Sequence, residues 1–207
     1  MTTTNHADFF EPLSRDTIWT LEKYAKLRPA FRTAVMAHKK LRAVGLGNHV
    51  TLLFEDTLTI RYQVQEMLRI EKTFEEAGIQ DELDAYIPLI PTGSNFKATM
   101  MIEYPVVEER KEALKRLRGI ERQVWVQVEG ADKVFAIADE DLPRENDEKT
   151  SAVHFMRFEL NEEMVKALKY GVTLSVGIDH PAYTQALDPL APAVRDCLVV
   201  DLTDLAA

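Results

Sequence analysis

The stretch Asp56–Ala77, DTLTIRYQVQEMLRIEKTFEEA, constrains this chain more than any other. Its apolar residues recur at helical spacing, so that at about 100° per residue Ile60, Val64, Met67, Leu68, Ile70 and Phe74 gather on one side. Gln63 and Glu71 fall inside that arc, whereas Arg61, Gln65, Arg69 and Lys72 point away from it. The segment follows directly on the strand-like run His49–Phe54. A long helix with a wide apolar side needs a broad surface to cover.

The remaining pattern supplies one. Residues 1–13 read as a flexible N-terminal arm and 14–207 as a single domain. A first helix over 15–27 stops at Arg28, and Pro29 opens a second that runs from Ala30 to about Val44, where Gly45 and Gly47 end it. Beyond the long helix, Gln80–Tyr86 is a short acidic helix. Phe96–Tyr104 alternates as a strand with Phe96, Ala98, Met100 and Ile102 on one side. A charged helix spans 105–118, and Arg122–Val128 with Lys133–Ala138 form a hairpin about Glu129–Asp132. Ser151–Leu160 is a strand that turns Ala152, His154, Met156 and Phe158 to one face. Asn161 caps a short helix, Val172–Asp179 is a strand, and a last helix covers roughly 190–203. The expected fold is α+β: a mostly antiparallel sheet, the long central helix laid across it, and further helices packed on it.

Charge and composition exclude several roles. A net charge of −9 disfavours a nucleic-acid or anionic-membrane binder, because both need a basic surface. No apolar run approaches the roughly 18–20 residues of a membrane span, and the first residues lack a secretory pattern. We therefore expect a cytoplasmic protein. The single cysteine, Cys197, forbids an intrachain disulfide and, within Cys-Leu-Val-Val, reads as a buried inert thiol. Asp139–Thr150 opens like a calcium loop, yet its sixth residue is Arg144 and its twelfth Thr150, so that reading fails. There is no HExxH, Walker or G-x-S-x-G motif, and whether the chain is an enzyme stays open.

The ligand-binding candidates are Gln63, Glu71 and His154, with His49 or His180 at the rim of a pocket expected between helix and sheet. Gln63 and Glu71 lie eight residues apart, about 12 Å along a helix, so they do not act on one atom. The histidine spacings force no convergence, so no metal or other cofactor is assigned; a hydrogen-bonded core His154 and a His180 set by Pro181 fit better. Arg61, Gln65, Glu66 and Arg69 are the interface candidates, an anion-binding or subunit-contact strip if covered and ordinary helix decoration if wet. Covered, that strip leads us to expect a homo-oligomer.

Four segments carry a resemblance: RYQVQEMLRIEKTFEEAGIQDELDAY (61–86), HVTLLFED (49–56), EKTSAVHFMRFEL (148–160) and DHPAY (179–183). Together they resemble the bacterial family catalogued as domain of unknown function 3501, over nearly the whole chain from Arg15 onward. The resemblance implies no activity, substrate or catalytic residue. It does imply a context, since such proteins tend to be encoded beside rubrerythrin-like and cysteine-rich iron–sulfur oxidoreductase proteins. The expectation that follows is an accessory or assembly protein of a redox or oxidative-stress system, with an oxidoreductase partner. The alternative is a small-molecule-binding enzyme or sensor, metal-dependent or not.

Overall fold

The computed structural model describes residues 9–146 and 148–203. These divide into two compact units: the residues up to Lys40 with Glu55–Pro91, and Leu41–Phe54 with the residues from Thr92 onward. Each has its own apolar core. The fold is α+β, and both of its sheets are antiparallel.

The first unit is helical. Helix α1 (Leu21–Lys39) starts where the Thr20 hydroxyl accepts from Lys23 N–H, and it runs on through Pro29 instead of breaking there as the sequence suggests. Helix α2 (Thr57–Glu71) is launched by a capping box in which Asp56 and Thr59 satisfy each other's backbone N–H groups. It ends earlier than expected. Lys72 takes a left-handed conformation (φ 56°), its N–H returns to Leu68 O, and helix α3 (Glu76–Tyr86) begins afresh. Phe9, Trp19, Tyr24, Phe31, Val35, Leu58 and Tyr62 form one core cluster of this unit, and Leu13, Ile18, Ile60, Val64, Leu68 and Leu83 another. Of the expected arm, residues 1–8 lie outside the described residues, while Phe9 and Leu13 are buried.

The second unit is built from strands. One sheet has the order β1 (Ala43–Leu46), β2 (Val50–Phe54), β3 (Asn95–Ile102), β7 (Val153–Glu159), β6 (Ile137–Ala138). The other runs β5 (Val134–Phe135), β4 (Val124–Val128), β8 (Leu174–His180), β9 (Tyr183–Leu187). Strands β5 and β6 are successive pieces of one segment that changes sheets at Ala136, whose N–H donates to Val124 O at 2.8 Å. At the opposite edges, Tyr183 Oη donates to Leu46 O (2.6 Å) and accepts from His49 N–H (3.1 Å). Tied at both sides, the sheets enclose one barrel-like core. Phe96, Ala98, Met100 and Ile102 of β3 point into it, as do Met156 and Phe158 of β7 and Val124, Val126 and Val128 of β4. Helices α4 (Val107–Arg116), α5 (Glu162–Lys169) and α6 (Pro192–Val199) add Leu114, Val165, Leu168 and Leu198. Cys197 is half-buried, not buried as expected, and its carbonyl accepts from Arg42, which is paired with Asp201.

Strand β1 lies where the sequence pattern suggests a helix end, and β9 where it suggests no element. The first is four residues interrupted by Gly45, and the second is almost wholly exposed, so neither shows the apolar alternation that marks its neighbours.

On the outer face of β4, Trp125 lies against Gly177, its register partner on β8, and Lys133 Nζ sits 4.0 Å from the centre of the indole. A Cβ at residue 177 would come within 2.7 Å of Trp125 Cε2 and 2.8 Å of Gln185 O, which is closer than side chains pack. Gly177→Ala is therefore expected to destabilise the chain by about 2 kcal/mol in urea unfolding. A loss near zero would show that the indole does not lie there.

Candidate functional site

Helix α2 fixes the site, but with a different face turned inward from the one the apolar arc suggested. Arg61 and Gln65 are both 0% exposed, whereas Ile70 is 61% and Phe74 75% exposed. Gln63 is half-buried and Glu71 lies in the open. The two polar groups expected inside are thus not both turned inward, and two expected outside are at the centre of the buried side.

What they do there is hold main chain. The Arg61 guanidinium donates to Thr17 O at 2.8 Å, Glu11 O at 2.9 Å and Pro12 O at 3.2 Å, and it lies 5.6 Å from the centre of the Trp19 ring. Its Nε finds no partner, and burial pulls its pKa down. One helical turn on, the Gln65 amide accepts from Trp19 N–H (2.9 Å) and donates to Trp19 O (3.3 Å). These bonds set the course of residues 11–19 and bring Arg15, Ile18 and Trp19 to one wall of a cleft.

The other wall comes from the break between α2 and α3. The left-handed Lys72 swings Thr73 and Phe74 out of the helix line, and α3 then approaches closely: a Cβ on Gly78 would lie 2.7 Å from Thr73 Cγ2. The cleft has a volume of about 280 Å³. Ile18, Trp19, Leu21, Leu68, Phe74 and Ile79 supply its apolar lining. At the mouth, Arg15 Nε donates to Glu76 Oε2 at 2.6 Å and a second bond joins the same two groups. Arg15, Trp19 and Phe74 were missed as a group in the sequence because two segments more than fifty residues apart contribute them.

The other interface candidates are engaged inside the chain. Glu66 accepts from Tyr24 Oη (2.6 Å), from Arg28 (2.7 and 3.0 Å) and from Arg69 (3.2 Å, both nitrogens). The expected Glu66–Arg69 pair is present, but with Arg61 and Gln65 spent on main chain the row is not a free strip.

The candidate histidines His49, His154 and His180 lie in the barrel-like unit. His154 is fully buried, with Nδ1 2.6 Å from Asp139 Oδ2 and Nε2 2.9 Å from Thr150 Oγ1 and 3.1 Å from Ser151 O. Thr150 Oγ1 lies 3.3 Å from the buried Glu121 carboxylate, and Asp139, with φ 54°, also accepts from Phe155 N–H. This closed network satisfies both ring nitrogens and leaves His154 facing core, not a cleft. His49 stacks on Tyr104 at 3.9 Å, and its Nδ1 is 3.0 Å from Glu103 O. His180 uses Nε2 on Arg118 O and Nδ1 on Ala182 N–H. Among the described residues, no group of three or more His, Cys, Asp or Glu side chains is placed to hold a metal ion, and no helix is long and apolar enough to cross a membrane.

Two arginines and a tyrosine hold the Glu66 carboxyl down, from 4.5 to about 2. Because its folded value is depressed, the stability it contributes is complete above about pH 4.5 and lost as pH falls toward 2. With Arg28 and Arg69 partly exposed, that contribution is about 1–2 kcal/mol. Glu66→Gln should be less stable than the parent by that amount at neutral pH, and the two unfolding curves should converge as the pH is lowered through this window. A gap that is independent of pH would place the loss in packing.

A family model described as "Protein of unknown function (DUF3501)" matches residues 12–202. A crystal structure of a novel protein of unknown function from Burkholderia pseudomallei K96243 is similar to this chain, with 56% identity and a TM-score of 0.87. The match covers 92% of this chain and 99% of that one. No curated protein matches. With the family model spanning most of its length, the chain belongs to DUF3501, a family of proteins of unknown function.

Proposed function

We propose that this protein is a cytoplasmic accessory protein of a bacterial redox or oxidative-stress system, and that it holds an oxidoreductase partner through the cleft of its helical unit. The observation that carries the docking half of this reading is Phe74. Phe74, three-quarters exposed, adjoins the apolar lining of the cleft, so that the two form one apolar surface for a partner to cover. The cleft, at about 280 Å³, has room for one or two large side chains. One of its walls is set by buried hydrogen bonds from Arg61 and Gln65, so that side stands formed before a partner arrives. The redox half rests on the company that the family resemblance implies.

The test is capture. Tagged protein, co-expressed with a rubrerythrin-like or cysteine-rich iron–sulfur oxidoreductase encoded beside it, should retain that oxidoreductase on a column. Phe74→Asp should abolish retention with a melting temperature close to that of the parent, since residue 74 makes no core contact. Retention unaffected by Phe74→Asp would remove the cleft from the interaction, and no retention by the parent would remove the redox assignment.

A further inference from the structure

We propose that the cleft receives a positively charged segment of the partner, which places one aromatic or long aliphatic side chain between Trp19 and Phe74. This rests on the docking reading above and names the chemistry of the occupant.

The inference comes from charge. The residues from Ile70 to Tyr86, which form one wall and its surroundings, contain Glu71, Glu75, Glu76, Asp81, Glu82 and Asp84 against a single cation, Lys72. Glu76 is neutralised by Arg15, and Asp84 accepts from Gln80 at 2.7 Å. Glu71, Glu75, Asp81 and Glu82 remain, with Glu71 and Asp81 both near Glu82. Burial raises the Glu82 carboxyl, and the charges of Glu71 and Asp81 raise it further. Glu82 lies three residues along α3 from the cleft residue Ile79, and Glu71 three along α2 from the cleft residue Leu68, so in each case about one helical turn separates carboxylate from lining. An apolar socket with Lys23 over Trp19 on one wall and an excess of carboxylates on the α3 side complements, on that second side, a Lys- or Arg-bearing segment with an apolar anchor. Residues 1–8 and 204–207 contain no Lys or Arg, so neither stretch is that segment. A second copy is disfavoured by mutual repulsion at a net charge of −9.

The experiment compares two triple variants that remove equal charge. Glu71→Gln/Asp81→Asn/Glu82→Gln neutralises the border of the cleft. Glu108→Gln/Glu112→Gln/Glu163→Gln neutralises exposed helix positions in the other unit. Two ligands are titrated by fluorescence anisotropy: a labelled amphipathic Lys–Leu peptide with one Phe, and its Glu–Leu counterpart. The Lys–Leu peptide should bind the parent, and its affinity should fall about tenfold in the first triple variant, on raising salt from about 0.05 to about 0.5 M, and in Phe74→Asp, but not in the second triple variant. The Glu–Leu peptide should not bind. Equal binding of both peptides, or equal losses in both triple variants, would overturn the proposal. So would sedimentation showing that the parent self-associates through residue 74. Oxidoreductase capture provides the separation: if it is lost in Phe74→Asp but kept in the first triple variant, the docking reading stands and the basic segment is wrong. If it survives all variants, both fall.

Discussion

A guanidinium buried without a carboxylate partner is what the helical unit is arranged around. Removing Arg61 from water is costly, and the chain offsets that cost with the carbonyls of Glu11, Pro12 and Thr17 in place of an acid. Carbonyl acceptors answer a cation only if the backbone bends to present them, so the path of residues 11–17 follows from the position of one side chain. Gln65 extends the same hold by a turn, taking both main-chain groups of Trp19. Trp19 in turn packs on Phe9 and Phe31, with ring centres 5.8 and 5.0 Å away. Polar and apolar terms thus fix one segment together, and the cleft wall is a by-product of satisfying a buried charge.

The sequence displays the existence of α2 and conceals its orientation, and the reason is instructive. Reading Ile60, Val64, Met67, Leu68, Ile70 and Phe74 as one arc assumes that the helix continues past Lys72 and that an arginine faces water. Both assumptions fail. Once Lys72 turns left-handed, Phe74 belongs to a connection and carries no vote on the helix face. Apart from Thr59 of the capping box, the buried set is instead Leu58, Ile60, Arg61, Tyr62, Val64, Gln65 and Leu68, an arc turned by about one residue's step of 100° with Arg61 near its middle. The signal available was Leu58 with Tyr62, four apart, which together with Leu68 brackets Arg61 and Gln65. Nothing local says that a distant segment will bring three carbonyls to that arginine.

The strand unit was more legible, since inward and outward residues alternate with the pleat. The faces of β3, β4 and β7 follow directly from that period. His154, set between apolar Ala152 and Met156 on such a face, was readable as a core residue, but Asp139 and Thr150 as its partners were not. They come from a loop with no periodicity, one of them held at positive φ. The division into two sheets was hidden for a related reason: a five-residue segment that serves one sheet before Ala136 and the other after it looks like a single strand.

Carboxylates elsewhere in the chain show how this protein treats negative charge when only stability is at stake. Glu66 has two arginines, Glu140 and Glu159 share Arg157, and Asp139 and Asp141 share Arg144. Beside the cleft Glu76 has Arg15, whereas burial and the nearby charges of Glu71 and Asp81 hold the Glu82 carboxyl up. Next to that unrelieved charge stands Phe74, the other departure from what stability alone favours. Two independent departures, one electrostatic and one apolar, meet within a turn or two of helix. Local choices that work against the fold are where functional sites are expected, and it is on this clustering that the proposed docking role rests.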